Sequence, residues 1–121
     1  MNIGQVGIQG EKRVAAFLRK RGFNVIKRNF QCRYGEIDII AENNEYILFV
    51  EVKTRKQNAL ISGIDAVDSH KQSRLTLAAQ DYITKTKCEK QPRFDVAEVT
   101  VFEKEDGTLG YSLKYLENAF R

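Results

Sequence analysis

The chain has 121 residues, a length that suits one compact domain. Its 42 % hydrophobic and 30 % charged residues are ordinary for a soluble globular protein, and no apolar run approaches the roughly 20 residues of a membrane helix. The net charge of +4 is unevenly spread: residues 1–33 hold eight Lys or Arg against Glu11 alone, so this part is +7 and the rest −3. A basic end beside an acidic centre suits a polyanion approaching a metal site; a solvated helix face rich in Lys and Arg is the ordinary alternative.

Met1–Gln5 lacks a basic segment followed by an apolar core, so no signal peptide is expected and the cytoplasm is the expected location. Cys32 and Cys88 lack CxxC spacing and read as free thiols of a reducing compartment. A single histidine, His70, argues against a histidine-based metal site or a His-dependent triad.

Residues 4–21 read as a helix. Val14, Ala15 and Leu18 share one face, Arg19-Lys20-Arg21 suit the C-terminal end of the dipole, and Gly22 is a plausible stop. Glu11 falls on the inward stripe, where a carboxylate needs a partner unless the first turn frays. Phe23–Ile26 reads as a short strand, Asn29–Tyr34 as strand or loop, and Ile37–Ala41 as a strand by composition. Glu42–Glu45 is a turn. Tyr46–Thr54 is the strongest strand, apolar on both faces until Glu51.

Gln57–Gly63 reads as a polar loop, and Ile64 to about Thr86 as a second helix with Lys71, Leu75, Ala78, Ala79 and Tyr82 on one side. A basic connector ends at Pro92. Arg93–Val101 is a further strand, Asp106-Gly107 a hairpin turn, Leu109–Leu113 its partner, and Tyr115, Leu116 and Phe120 a docked tail. The order predicts an α/β fold, a mixed β-sheet flanked by α-helices. It forms one domain over 1–121, with a core at about 7–101 and a C-terminal hairpin and tail at 102–121.

Asp38, Glu51 and Lys53 stand in the most apolar, β-branched stretches of the chain, where charge is costly unless paired or bound to metal. If the two strands pair through the four-residue turn, Asp38 and Glu51 approach each other at one end of the sheet. Their oxygens suit Mg²⁺ or Mn²⁺, the Val52 carbonyl offers a third ligand, and Glu11 can hold a metal-bound water or second ion. Lys53 suits a role beside the attacking water and the scissile phosphate. Lys12, Arg13 and Arg19 on the first helix, with Arg55, Lys71 and Arg74, are candidate nucleic-acid contacts. The ordinary alternatives stand beside these. Asp38 can bond backbone or pair with Arg33, Glu51 can pair with Lys53, Lys71 can snorkel to solvent, and Asp95 can pair with Arg93. Tyr34, Tyr46 and Tyr82 suit core packing better than base stacking.

Asp38 followed by Glu51-Val52-Lys53 resembles the Asp…Glu-x-Lys core of the restriction-endonuclease-like superfamily, and the helix with Glu11 is similar to its archaeal Holliday-junction resolvase branch. Gly10-Glu11, Arg28-Asn29-Phe30, Gly35-Glu36-Ile37-Asp38, Phe49–Arg55, Lys71 and Arg93-Phe94-Asp95-Val96 resemble the YraN-like family of small bacterial proteins over about residues 7–101. The resemblance implies a restriction-endonuclease-like fold and a Mg²⁺-dependent endonuclease acting on DNA, branched or single-stranded, with a homodimer if junctions are cut. A catalytically silent nucleic-acid-binding accessory and a structural or protein-interaction domain are the alternatives.

Overall fold

A computed structural model describes residues 3–57 and 69–120. Helix α1 (Ile3–Lys20) precedes strands β1 (Asn24–Cys32), β2 (Gly35–Glu42) and β3 (Tyr46–Lys56). Helix α2 (Ser69–Thr86) and strands β4 (Gln91–Glu103) and β5 (Leu109–Phe120) follow. The strands form one sheet in the order β1-β2-β3-β4-β5. All neighbours are antiparallel except β3 and β4, which run parallel from Tyr46↔Gln91 to Lys56↔Val101. A parallel pair needs a crossover, and the chain between them contains α2. The mixed sheet flanked by helices is the architecture expected from the sequence, and it is consistent with a restriction-endonuclease-like fold.

Each helix closes one face. Val14, Ala15 and Leu18 of α1 bury against Ile39, Ala41, Leu48, Val50, Ala97 and Val99. Leu75, Ala78, Ala79 and Tyr82 of α2 bury against Ile37, Ile40, Ile47 and Phe49. β3 contributes to both clusters, which explains its run of apolar residues on both faces. Gly22, at φ 89°, ends α1: its N–H donates to the Arg19 carbonyl and that of Phe23 to Leu18, both at 3.0 Å.

Gly10 lets α1 lie close to β3, because a Cβ there would overlap the Thr54 side chain. Thr54 is β-branched and stiff, so Gly10→Ala should push the helix outward. A loss of about 1–3 kcal/mol is expected in urea unfolding; an unchanged midpoint would mean that Thr54 turns aside freely.

Three expectations about the elements are corrected. Phe23–Ile26 and Asn29–Tyr34 are not separate pieces: one strand runs from Asn24 to Cys32, because it pairs along β2 as far as the tight Arg33-Tyr34 turn. β4 begins before Arg93 and includes Pro92, paired with Ile47 near the strand's start, where a missing N–H is tolerated. The C-terminus is no docked tail. β5 continues to Phe120, whose ring stacks on Phe94 at 5.2 Å. The predicted loop from residue 58 to 63 and the predicted first turn of the second helix at 64–68 lie outside the described residues.

Candidate functional site

The ladder between β2 and β3 runs from Glu42↔Ile47 to Ile39↔Val50 and stops. The next opposed residues are Asp38 and Glu51. Here the sheet opens, and a side chain replaces the ladder: Val52 N–H donates to Asp38 Oδ2 at 2.7 Å. In an extended strand a residue's N–H and C=O point to the same side, so the Val52 carbonyl also faces the β2 flank.

The neighbouring hairpin is distorted at the same level. Arg28 pairs with Ile39 and Phe30 with Ile37, which leaves Asn29 opposite Asp38. Asn29 has φ 53°, a left-handed conformation tolerated by asparagine. Ile37 and Ile40, three residues apart, both pack beneath α2, so strict two-residue alternation is lost around Asp38.

Glu51 is 5 % exposed. Its Oε1 pairs with Lys53 Nζ at 3.2 Å and with Lys71 Nζ of α2. Burial is the main cause that pushes the Asp38 carboxyl up to about 7; the Glu51 charge adds to this, and the Val52 N–H opposes it. A side-chain hydrogen bond with Glu51 also favours the protonated form. Burial disfavours the Lys71 ammonium, but its bond to Glu51 and the Glu51 and Asp38 charges raise its pKa.

A cleft of about 410 Å³ opens over these groups, lined by Gly35, Glu36, Asp38, Glu51, His70, Lys71, Arg74 and Leu75. Asp38, Glu51, Lys71 and Arg74 are thus gathered in one place, with Lys53 attached through Glu51. Glu11 approaches from α1. The orientation of Asn29 that satisfies its neighbours donates the amide to Glu11 Oε1 at 2.9 Å and Glu36 Oε1 at 3.1 Å. Burial first, and then Glu36 and Glu51 against the opposing pull of Arg28 and Asn29, raise the Glu11 pKa.

Other candidates are dispersed. Lys12, Arg13 and Arg19 are exposed on α1, which packs on the sheet face opposite α2. Arg13 lies over the Tyr111 ring at 3.8 Å. Arg55 pairs with Glu98 at 3.3 Å instead of projecting outward. Lys71 does not merely snorkel to solvent, since it is bonded to Glu51. Arg33 hydrogen-bonds Tyr34 rather than serving Asp38. Tyr82 packs in the core, edge-on to Phe30 and Phe49. Sequence reasoning missed Asn29 as a link between two acids, and missed His70 as a residue of the cleft wall. A left-handed asparagine between two strand residues leaves no periodic signal, and a lone histidine gives no spacing to read.

The model that describes uncharacterised protein family UPF0102 matches residues 10–99, the span containing Glu11, Asn29, Asp38, Glu51, Lys53 and Lys71. The chain belongs to the uncharacterised protein family UPF0102. A UPF0102 protein of Clostridium acetobutylicum is 40 % identical over 118 residues, covering 97 % of this chain and 94 % of the relative. One of Caldanaerobacter subterraneus is 44 % identical over 100 residues, 82 % of each chain. One of Parabacteroides distasonis is 38 % identical over 115 residues, 95 % of this chain and 91 % of the relative. UPF0102 membership agrees with the YraN-like resemblance, and the family and fold together relate the chain to nuclease-like proteins.

Among the described residues no group of three or more His, Cys, Asp or Glu converges to hold a metal. Glu11 is electrostatically linked to Asp38 and Glu51 but is bonded through Asn29. Two carboxylates with a flanking peptide carbonyl still fit Mg²⁺ or Mn²⁺, which commonly keep several waters and use one or two carboxylates together with substrate phosphates. No described helix is long and apolar enough to cross a membrane.

Proposed function

We propose that the chain binds nucleic acid, with the phosphodiester backbone drawn into the cleft between β2, β3 and α2. One observation carries this reading: two lysines converge on a single Glu51 oxygen while the facing Asp38 titrates near neutrality. Burial that keeps a proton on Asp38 lightens the negative charge of the cleft, whose wall also carries Lys71 and the exposed Arg74. Phosphate suits such a place, and ammonium and guanidinium groups bind it through charge-assisted hydrogen bonds. The exposed basic face of α1 adds attraction at longer range.

The test is fluorescence anisotropy with labelled single-stranded and duplex DNA and RNA in EDTA, across a salt series. Affinity should fall steadily with salt. Lys71→Ala and Arg74→Ala should each reduce the magnitude of the logarithmic salt slope by about one. Failure to bind any of these nucleic acids at low salt would remove this reading and favour a structural or protein-interaction role.

A finer reading is supported by a separate observation, the meeting of Asp38 and Glu51 where the ladder opens beside the Val52 carbonyl. In it, the protein is a Mg²⁺- or Mn²⁺-dependent endonuclease acting on DNA. Asp38, Glu51 and the Val52 carbonyl would hold the ion, which would supply Lewis-acid activation of water. Lys53 would offset charge developing on the phosphate, and Glu11 would help to orient water from the α1 side. Cytoplasmic DNA is the natural substrate pool, and concerted cleavage of a junction would bring two copies of the chain together as a homodimer. Cleavage of single-stranded or branched DNA that is lost in Asp38→Ala, Glu51→Ala and Lys53→Ala, with binding retained, would establish this chemistry. Binding without cleavage would leave the accessory role.

A further inference from the structure

Lys53 and Lys71 share Glu51 Oε1, but they are held differently. Lys53 is two residues along the same strand and is tied to the position of Glu51. Lys71 is the third residue of α2, and its side chain is 35 % exposed. Lys71 rests on Glu51 beside an open cleft. A divalent ion held by Asp38 and Glu51 would require the same carboxylate and would repel both ammonium groups. A phosphate in the cleft would give Lys71 another anionic partner.

We infer that Lys71 is a counter-cation that closes Glu51 to divalent metal in the free protein and yields it when a phosphodiester backbone arrives. Metal and nucleic acid then bind with positive coupling, so the ion is held tightly only when substrate is present. This inference rests on the metal-dependent reading above.

The test is Mn²⁺ binding, followed by the paramagnetic resonance signal of the free ion, with and without a short single-stranded oligodeoxynucleotide. Lys71→Met should bind Mn²⁺ roughly tenfold more tightly than wild type without nucleic acid. Lys71→Arg, which keeps the charge, should stay near wild type, and Lys71→Gln provides a second neutral variant if Lys71→Met does not fold. The oligonucleotide should tighten binding in wild type and have little effect in the neutral variants. Equal or weaker Mn²⁺ binding by neutral variants, alongside measurable binding by wild type, would overturn the inference and leave the metal reading standing. No Mn²⁺ binding by any form, with or without oligonucleotide, would overturn both.

Discussion

Asp38→Asn is expected to stabilise the protein above neutral pH while abolishing any metal-dependent activity. The folded state holds this carboxyl near 7, against an ordinary value near 4. Below pH 4 both folded and unfolded chains keep the proton, so no difference arises. Between about pH 4 and 7 the unfolded chain loses it first, and stability falls as pH rises. Above the folded value the penalty is complete and constant, on the order of 4 kcal/mol at most. Asparagine removes this slope. Its carbonyl can still accept from Val52 N–H, and its amide can donate toward Glu51 as the protonated acid does. Urea unfolding of both proteins at pH 5 and pH 8 is the measurement. A wild-type curve as flat as that of Asp38→Asn would show that the carboxyl is ionised without strain.

Asp95→Ala should produce the largest loss of stability from a single change outside the cleft. Asp95 is fully buried on the α1 side of β4, opposite Val50. Arg93 Nε and Nη2 donate to its two oxygens at 3.0–3.2 Å. Tyr115 Oη donates at 2.6 Å and Asn118 N–H at 2.8 Å. Burial and then the Asp95 charge push the Tyr115 hydroxyl far above its ordinary range, so it remains a donor. The carboxylate thus fastens the last part of β5, where the β4 ladder shifts register between Phe94 and Val96. Its removal leaves Arg93, 15 % exposed, with only the looser pairing to the exposed Glu117 at 3.9 Å. A loss of about 3–5 kcal/mol is expected, read as a lower urea midpoint with an unchanged slope. Nucleic-acid binding at low temperature should survive, since the cleft does not use this network; a selective loss of binding would place Asp95 in function instead.

Much of this architecture was legible because each element has an unambiguous pattern. The inward stripe of α1, the stop at Gly22, the doubly covered β3 and the turn at Asp106-Gly107 follow from spacing and backbone preference. The opposition of Asp38 and Glu51 was legible through the short turn that joins their strands. The remainder depended on tertiary geometry. Nothing in the order of residues marks Ile39↔Val50 as the last paired rung, because composition changes little there. The choice of Lys71 for Glu51 depends on how the crossover returns α2 to the sheet. The position of Arg13 and Arg19 on the face away from the cleft depends on the same layering. Charge counting along the chain grouped them with the acids because it carries no information about sides.

The sheet's transition from backbone ladder to side-chain contact gives one peptide group an unusual vantage point. The Val52 amide sits in a structural strand, yet its acceptor is the very carboxylate that would accept or lose a proton and bind a cation. Its proton frequency in an NMR spectrum should therefore follow the occupancy of the cleft from inside the frame of the protein. A single ¹⁵N-labelled valine becomes a built-in sensor, able to report pH, metal or nucleic acid without a dye and without altering a residue that any of them touches.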